Sequence, residues 1–454
     1  MLVPMSYAAR QLDAELLRWS RLADRKPLIL RGARQVGKTA SVRQLGRNFD
    51  QYVELNLERP ADRRLVDACR SADELLEALA VRVDLATLGA NTLLFLDEIQ
   101  ERPHVVPWLR FLYEDHPELA VVAAGSLMEV RLQERDFSFP VGRVTFRYLH
   151  PMSFDEFLRA TSRVQLANAI DASIRTLTPL AHAAHEEARD RLRDYLLIGG
   201  MPEAVVRWKE TSSLVEVRQV HGDLTQAYAE DLHKYAGVRD MAPLEAAFDG
   251  LRHHYGRRFK YEGFVPGFAS RPMQTALGRL EAAMVTRRVW PTSSRSWPPE
   301  TRARTAPKLL PLDVGMAVSS LGVLPEELRR SPLHVLLDGR VAEMFVGQQL
   351  VAQQSRRAEV LHFWVSASSR GSAEVDYLVQ HGTRMLPLEV KAGATGTLKS
   401  LHRYLRLADH KLGIRCYDGQ LRDDQNRVRI EGVDMPYRLV SLPLYCAGAS
   451  IALG

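Results

Sequence analysis

Apolar and polar positions follow two regimes along this chain. Short apolar runs recur at 27–31, 51–57, 92–97, 119–125 and 144–149, separated by stretches with helical spacing. Runs of that length, bounded by polar residues, suit strands buried on both faces. Strands alternating with helices imply a parallel sheet covered on both sides. Ahead of the first run, Tyr7 to Ala23 has the spacing of an amphipathic helix. Near residue 150 the pattern changes. In His150-Pro151-Met152-Ser153-Phe154-Asp155-Glu156-Phe157, Ser153 and Glu156 form a capping box that opens a helix. From there to about 290 the spacing is mostly helical, with a break at Gly199-Gly200-Met201-Pro202. Residues 291–308, rich in Pro, Ser, Thr and Arg, read as a flexible excursion or β-wing. Beyond 310 the pattern predicts a helix at 338–354, strands at 360–365, 374–380 and 385–390, and a helix at 397–408. A chain of 454 residues is too long for one core, and the changes near 150 and 310 set off a first division, 1–150, and a last one, 311–454.

The first division carries the clearest chemistry. Gly32-Ala33-Arg34-Gln35-Val36-Gly37-Lys38-Thr39 fits G-x-x-x-x-G-K-[ST] at every fixed position. It follows the apolar run Pro27–Leu30 and precedes a helical stretch from Ala40, the strand–loop–helix context that a phosphate loop requires. Backbone N–H groups from Gly32 to Ala40 would cradle phosphates, and Gly32 and Gly37 permit the close approach. Lys38 would reach the β- and γ-phosphates, and Thr39 would hold Mg²⁺, so ATP and Mg²⁺ are the expected cofactors. The run Thr92–Leu96 ends in Asp97-Glu98. At the C-terminal end of a parallel strand Asp97 sits where ligands bind and would support the metal. Glu98 is placed to polarise an attacking water, which points to hydrolysis rather than nucleotide storage. Ser126, ending the 119–125 run, can hold that water or sense the γ-phosphate, or simply cap a helix. Arg143 is the chosen arginine finger, with Arg131, Arg135 and Arg147 as rivals. A finger supplied by a neighbouring subunit would make the active form a homo-oligomer.

Composition narrows the setting. Three cysteines, Cys69, Cys416 and Cys446, have no metal-like spacing, so a disulfide scaffold or zinc site is not expected and a reducing, cytoplasmic setting is. No secretory signal is evident. No uninterrupted apolar stretch is long enough to span a membrane. The net charge of +6 is uneven: from Arg252 to Lys308 there are twelve Lys/Arg and three Asp/Glu. A focused basic segment suits a nucleic-acid backbone, DNA included, or is a solvated basic face.

The phosphate loop, Leu96-Asp97-Glu98-Ile99-Gln100, Gly125-Ser126, Gly142-Arg143, the 150–157 segment and Gly199-Gly200-Met201-Pro202-Glu203 occur in this order. Together they resemble a large prokaryotic family of AAA-type ATPases. The resemblance covers nearly the whole chain, strongly in the ATPase half and more weakly beyond residue 210. It implies an α/β fold class: a P-loop NTPase with a doubly wound parallel sheet, a helical lid at 151–235, a winged-helix segment at 236–310 and a restriction-endonuclease-like domain at 311–454. Within 241–290, Met273–Met284 has the spacing of a helix with one buried face, and Arg279, Arg287 and Arg288 could meet phosphates.

In the last division, Asp376 lies on one predicted strand, and Glu389 and Lys391 lie on the next, where strand alternation puts both on one face. Asp376 beside Glu389 would make a two-carboxylate Mg²⁺ site, with Lys391 orienting water. Glu389 and Lys391 can equally pair with each other. The spacing resembles the PD-(D/E)xK nuclease pattern, and Glu343 would match its helical acid. Two functions follow. One is an ATPase coupled to a nucleic-acid-binding module with a Mg²⁺-dependent nuclease site. The other is a regulatory or signalling ATPase whose nuclease-like domain binds a protein partner without catalysis.

Overall fold

The computed structural model describes residues 7–84, 88–125, 140, 142–235, 237–322, 339–356, 360–366, 373–393, 396–430 and 433–453. The chain divides into two compact units. The first is Met1–His150 with Ala282–Met284 and Gln354–Ala358; the second is Pro151–Glu281, Val285–Gln353 and Glu359–Gly454.

The first unit opens on α1 (Gln11–Ser20), shorter than the helix expected from Tyr7 to Ala23. The Arg10 N–H donates to Asp13 Oδ2 at 2.8 Å, which sets the first turn there and leaves Tyr7–Arg10 outside it. Strands β1 (Leu28–Arg31), β2 (Gln51–Asn56), β3 (Thr92–Asp97), β4 (Ala120–Ala124) and β5 (Thr145–Tyr148) match the expected runs to within one residue at each end. They form one sheet in the order β2-β3-β4-β1-β5, parallel throughout. Helices α2 (Lys38–Gly46), α3 (Pro60–Ala68), α4 (Ala72–Arg82) and α5 (Trp108–Glu114) connect them. Every residue of β1, β3 and β4 is buried, as expected for central parallel strands with helices on both faces. Because β1 and β3 both flank β4, the loop after β1 and the acids ending β3 emerge at one edge of the sheet.

The second unit begins with helices α6 (Phe154–Ala160), α7 (Val164–Thr176), α8 (His182–Ile198), α9 (Pro202–Thr211), α10 (Leu214–Glu230), α11 (Val238–His254) and α12 (Ser270–Ala282). The expected capping box opens α6: Ser153 and Glu156 each accept the other's backbone N–H. Strands β6 (Thr286–Thr292) and β7 (Lys308–Pro311) follow, then α13 (Val314–Ser320) and α14 (Gly339–Ala352). The rest is β8 (His362–Val365), β9 (Glu374–His381), β10 (Arg384–Lys391), α15 (Lys399–Leu407), β11 (Leu412–Tyr417), β12 (Arg422–Ile430) and β13 (Val433–Pro443). The strands make one mixed sheet, β12-β13-β11-β10-β9-β8-β6-β7. The stretch 291–308, expected as a flexible excursion or β-wing, leads from β6 to β7. Strand β6 pairs antiparallel with β7 on one edge and runs parallel to β8 on the other.

The helices of this unit meet one another through a buried polar node. Tyr195 of α8 donates to Met152 O at 2.5 Å and accepts from Gln348 Nε2 at 3.0 Å and Gln349 Nε2 at 3.2 Å. Gln348 Oε1 takes the Val314 N–H at 2.7 Å, and Gln349 Oε1 takes the Phe154 N–H at 2.8 Å. Asp313 accepts from Gly200 N at 2.6 Å, Gln348 Nε2 at 3.0 Å and Met316 N at 3.0 Å. A Cβ on Gly200 would lie 2.1 Å from Met152 O, so the chain can pass here only as glycine. Replacing Tyr195 by Phe strands a buried carbonyl and the Gln349 amide and takes one of two bonds from the Gln348 amide, and should lower the stability of this unit by about 2–3 kcal/mol. The urea midpoint of its unfolding reads this directly. A loss below about 0.5 kcal/mol, the range of an ordinary surface change, would show that the node carries no stability.

Candidate nucleotide site and carboxylate cluster

The phosphate loop is built as its sequence requires. Gly37 adopts φ +99°, a left-handed conformation that side chains resist, and caps α2. Gln35, at φ +59°, bends the loop. Arg10 reaches in from before α1: it is buried and donates to Val36 O at 2.9 Å and His150 O at 2.6 Å. This brace was not foreseen, and a lone Arg ahead of a helix gives no sequence signal for it. Arg34 turns outward and pairs with Glu58 at 3.0 Å. The buried Lys38 donates to Gly32 O at 2.9 Å and Ala33 O at 2.8 Å. Burial pushes its ammonium below the ordinary lysine value, while Glu98 and Asp97 pull it back. Thr39 Oγ1 donates to Asp97 Oδ2 at 2.8 Å. Burial raises the Asp97 carboxyl to about 6, against the lowering effect of the Thr39 hydrogen bond. Glu98 stands at φ +52° just past β3, and Gln100 Nε2 donates to its carboxylate at 2.5 Å.

These residues fit Mg²⁺·ATP. Adjacent hydroxyl and carboxylate oxygens are a donor set for a hard cation. A buried ammonium whose hydrogen-bond partners among the described residues are carbonyls is favoured by a ligand that brings negative charge. Among the arginines, Arg143 is exposed and pairs with Glu114 at 2.6 Å. Arg147 pairs with Glu15 at 3.1 Å. Ser126, Arg131 and Arg135 lie outside the described residues.

The basic segment is partly neutralised within its own unit. Arg279 pairs with Asp240 at 2.7 Å, Arg258 with Glu374, and Arg288 with Glu281. Two of the three arginines expected to meet phosphates, Arg279 and Arg288, therefore already hold carboxylates. Arg252, Arg257, Lys260, Arg271, Arg302 and Arg304 remain exposed.

The C-terminal acids do come together, around a residue the sequence did not nominate. Lys308 Nζ, on β7, lies 2.7 Å from Glu343 Oε2, 2.6 Å from Glu374 Oε1 and 3.4 Å from Asp376 Oδ1. It is only 5% exposed and faces the Phe363 ring at 5.1 Å. Burial disfavours its charge, but the carboxylates of Glu343, Asp376 and Glu374 more than offset that and hold it well above the ordinary lysine value. Asp376 Oδ2 accepts from Val390 N at 2.8 Å, and Lys391 donates to Glu389 Oε1 at 2.7 Å. Burial and the neighbouring Asp376 raise the carboxyls of Glu343 and Glu389 to about 7. Glu343 and Asp376, expected with Glu389 to hold Mg²⁺, are paired with Lys308 in this structure, and Glu389 is paired with Lys391. The Lys308 ammonium supplies the positive charge a divalent cation would bring, and among the described residues no three His, Cys, Asp or Glu are grouped to hold a metal. The available signal was a lone lysine heading the apolar run Leu309-Leu310-Pro311.

A family model described as an AAA domain matches residues 24–158. That segment holds the phosphate loop and the five-stranded parallel sheet. Two further models, both domains of unknown function (DUF8612 and DUF4143), match residues 189–327 and 338–436. A search of curated proteins finds no match. Among solved structures, the chain is similar to the Walker-type ATPase PABY2304 of Pyrococcus abyssi at 15% identity and TM-score 0.44, over 70% of this chain and 98% of that one. It is similar to C. elegans PCH-2 at 10% identity and TM-score 0.24, over 39% of this chain and 50% of that one.

The Lys308 assignment predicts that nucleotide-free protein takes up no Mn²⁺ at the acid cluster, as read by electron paramagnetic resonance. Lys308→Met should cost about 3–5 kcal/mol of stability, because it leaves buried carboxylates without a counter-ion. Stoichiometric Mn²⁺ binding by the unmodified chain, lost in Asp376→Asn and Glu389→Gln, would instead establish a metal centre.

Proposed function

We propose that this chain hydrolyses ATP in its AAA domain and uses the turnover to act on nucleic acid engaged by its second unit. The observation that carries the hydrolytic half is the Thr39–Asp97 hydrogen bond, with Glu98 next in the chain. Bound Mg²⁺ would neutralise the phosphate charge that develops during transfer. Thr39 and Asp97 would hold it, and the loop N–H groups and Lys38 would fix the phosphates in line. Glu98, oriented by Gln100, would receive the proton of the attacking water. Ser126 would complete the water's position. Arg143 of a neighbouring copy would stabilise the transition-state charge after leaving Glu114. The exposed basic residues of the 252–304 stretch support the nucleic-acid half.

Cleavage is not part of this reading, since Lys308 fills the acid cluster. That observation favours, as a second reading, a regulatory ATPase whose C-terminal domain serves as a non-catalytic binding module for a protein partner.

Lys38→Ala should abolish nucleotide binding and turnover. Glu98→Gln should keep binding and lose turnover by about 10²–10⁴-fold, the usual contribution of a positioned base. Turnover should rise on adding duplex DNA, with an effect that weakens steeply as salt increases. Hydrolysis indifferent to nucleic acid at any salt would leave the regulatory reading standing. Arg143→Ala should lower turnover by about 10³-fold with binding intact, and an unchanged rate would remove it from the mechanism.

A further inference from the structure

Where β9 turns into β10, the sheet of the second unit carries a groove of about 640 Å³ that neither the nucleotide site nor the acid cluster uses. His381 and Arg384 flank the turn, His410 and Lys411 lead into β11, and Arg438 lies on β13. Among the described residues no Asp or Glu lines it. His381 and Arg384 each stand five residues along their strands from Asp376 and Glu389, roughly 16 Å at the rise of an extended chain. The groove is therefore distinct from the acid cluster.

Two buried ring nitrogens of its lining residues have unmet hydrogen-bond capacity. His410 is 5% exposed. Its Nδ1 accepts the Leu412 N–H at 3.1 Å, which assigns the neutral ring's proton to Nε2. Burial, Arg384 and His381 all hold this imidazole below its ordinary value, so the neutral ring is the relevant form. Nε2–H is then a donor, and it has no partner among the described residues. His381 Nδ1 is likewise buried and unpartnered, with the two ring centroids 6.1 Å apart. A buried donor left unpaired costs about 1–3 kcal/mol, and such groups in native proteins call for an explanation. The missing partner of His410 must be an acceptor.

The rim decides its charge. Arg384 is exposed and, among the described residues, its side chain donates only to the carbonyl of Asp409 at 3.4 Å; Lys411 is also exposed. Arg438 is held by Asp423 at 2.8 Å, so Arg384 and Lys411 are the uncompensated charges. Two histidines alone would suit a transition metal, but two uncompensated cations repel one and attract an anion.

We propose that this groove binds a phosphoryl group, with a phosphate oxygen accepting from His410 Nε2 and its charge met by Arg384 and Lys411. This inference stands apart from the ATPase reading. Free phosphate and the phosphodiester backbone of a nucleic acid share the chemistry, and the experiment separates them.

Full-length protein carrying Lys38→Ala, which disables the P-loop as a phosphate site, is titrated with inorganic phosphate and, separately, with a short DNA duplex. The histidine ring ¹⁵N resonances and the heat of binding are followed. Phosphate should shift the His410 Nε2 signal, and Arg384→Ala with Lys411→Ala should weaken that binding at least about tenfold. Both side chains are exposed, so these variants keep the fold. If duplex displaces phosphate from His410, the source is a nucleic-acid backbone. If it does not, the ligand is a free phosphate species. Two results overturn the proposal. One is a His410 signal unmoved by either ligand, as when an ordered water satisfies Nε2. The other is phosphate binding unchanged by the double substitution.

Discussion

The phenol oxygen of Tyr195 settles a buried carbonyl and two buried amides, and much of the second unit is arranged around it. Away from water, each of those groups would carry a desolvation cost if the helix shifted, so the node is satisfied as a whole or not at all. Four stretches remote in sequence are committed by it: Met152–Phe154, the Gly199-Gly200 break, Asp313–Met316 and Gln348–Gln349. Packing reinforces the choice. The Tyr195 ring meets Phe154, Phe157 and Phe345 edge to face, with centroids 5.3–5.8 Å apart. The 150–157 and 199–203 segments, which carry much of the family resemblance, therefore serve architecture in this chain. Gly199 is glycine because a Cβ would lie 1.9 Å from Asp313 Oδ1.

What could be read from the sequence divides along the range of the interactions. The five strands of the first unit were legible because a doubly buried strand announces itself in consecutive residues. The phosphate loop was legible because its glycines, lysine and threonine act within eight positions. The start of α1 was not, since it depends on the Arg10–Asp13 hydrogen bond rather than on apolar spacing. The second edge of β6 was not, because its partner β8 begins some seventy residues later. Strands β11–β13 lay beyond the last pattern that spacing alone made clear. Lys308 was missed for the same reason as β6. It sits 68 positions before Asp376, and only the fold shows that both face one point.

The two buried lysines show how one charge can serve opposite ends. Lys38 donates to two carbonyls of its own loop, partners that leave its charge uncompensated. Burial accordingly lowers its proton affinity, and anionic oxygens arriving beside it would be favoured twice, by attraction and by relief of that penalty. Lys308 has three carboxylates within 3.4 Å, and its proton is held all the more tightly. A divalent cation entering that cluster would have to expel an ammonium tethered to β7 and leave it buried beside the metal, so Coulomb repulsion opposes the exchange. Acids grouped by sequence spacing therefore do not define a metal site. At the C-terminal acids the counter-charge is the paired Lys308 ammonium, while at the phosphate loop Lys38 is hydrogen-bonded to carbonyls and feels Glu98 and Asp97 only through space.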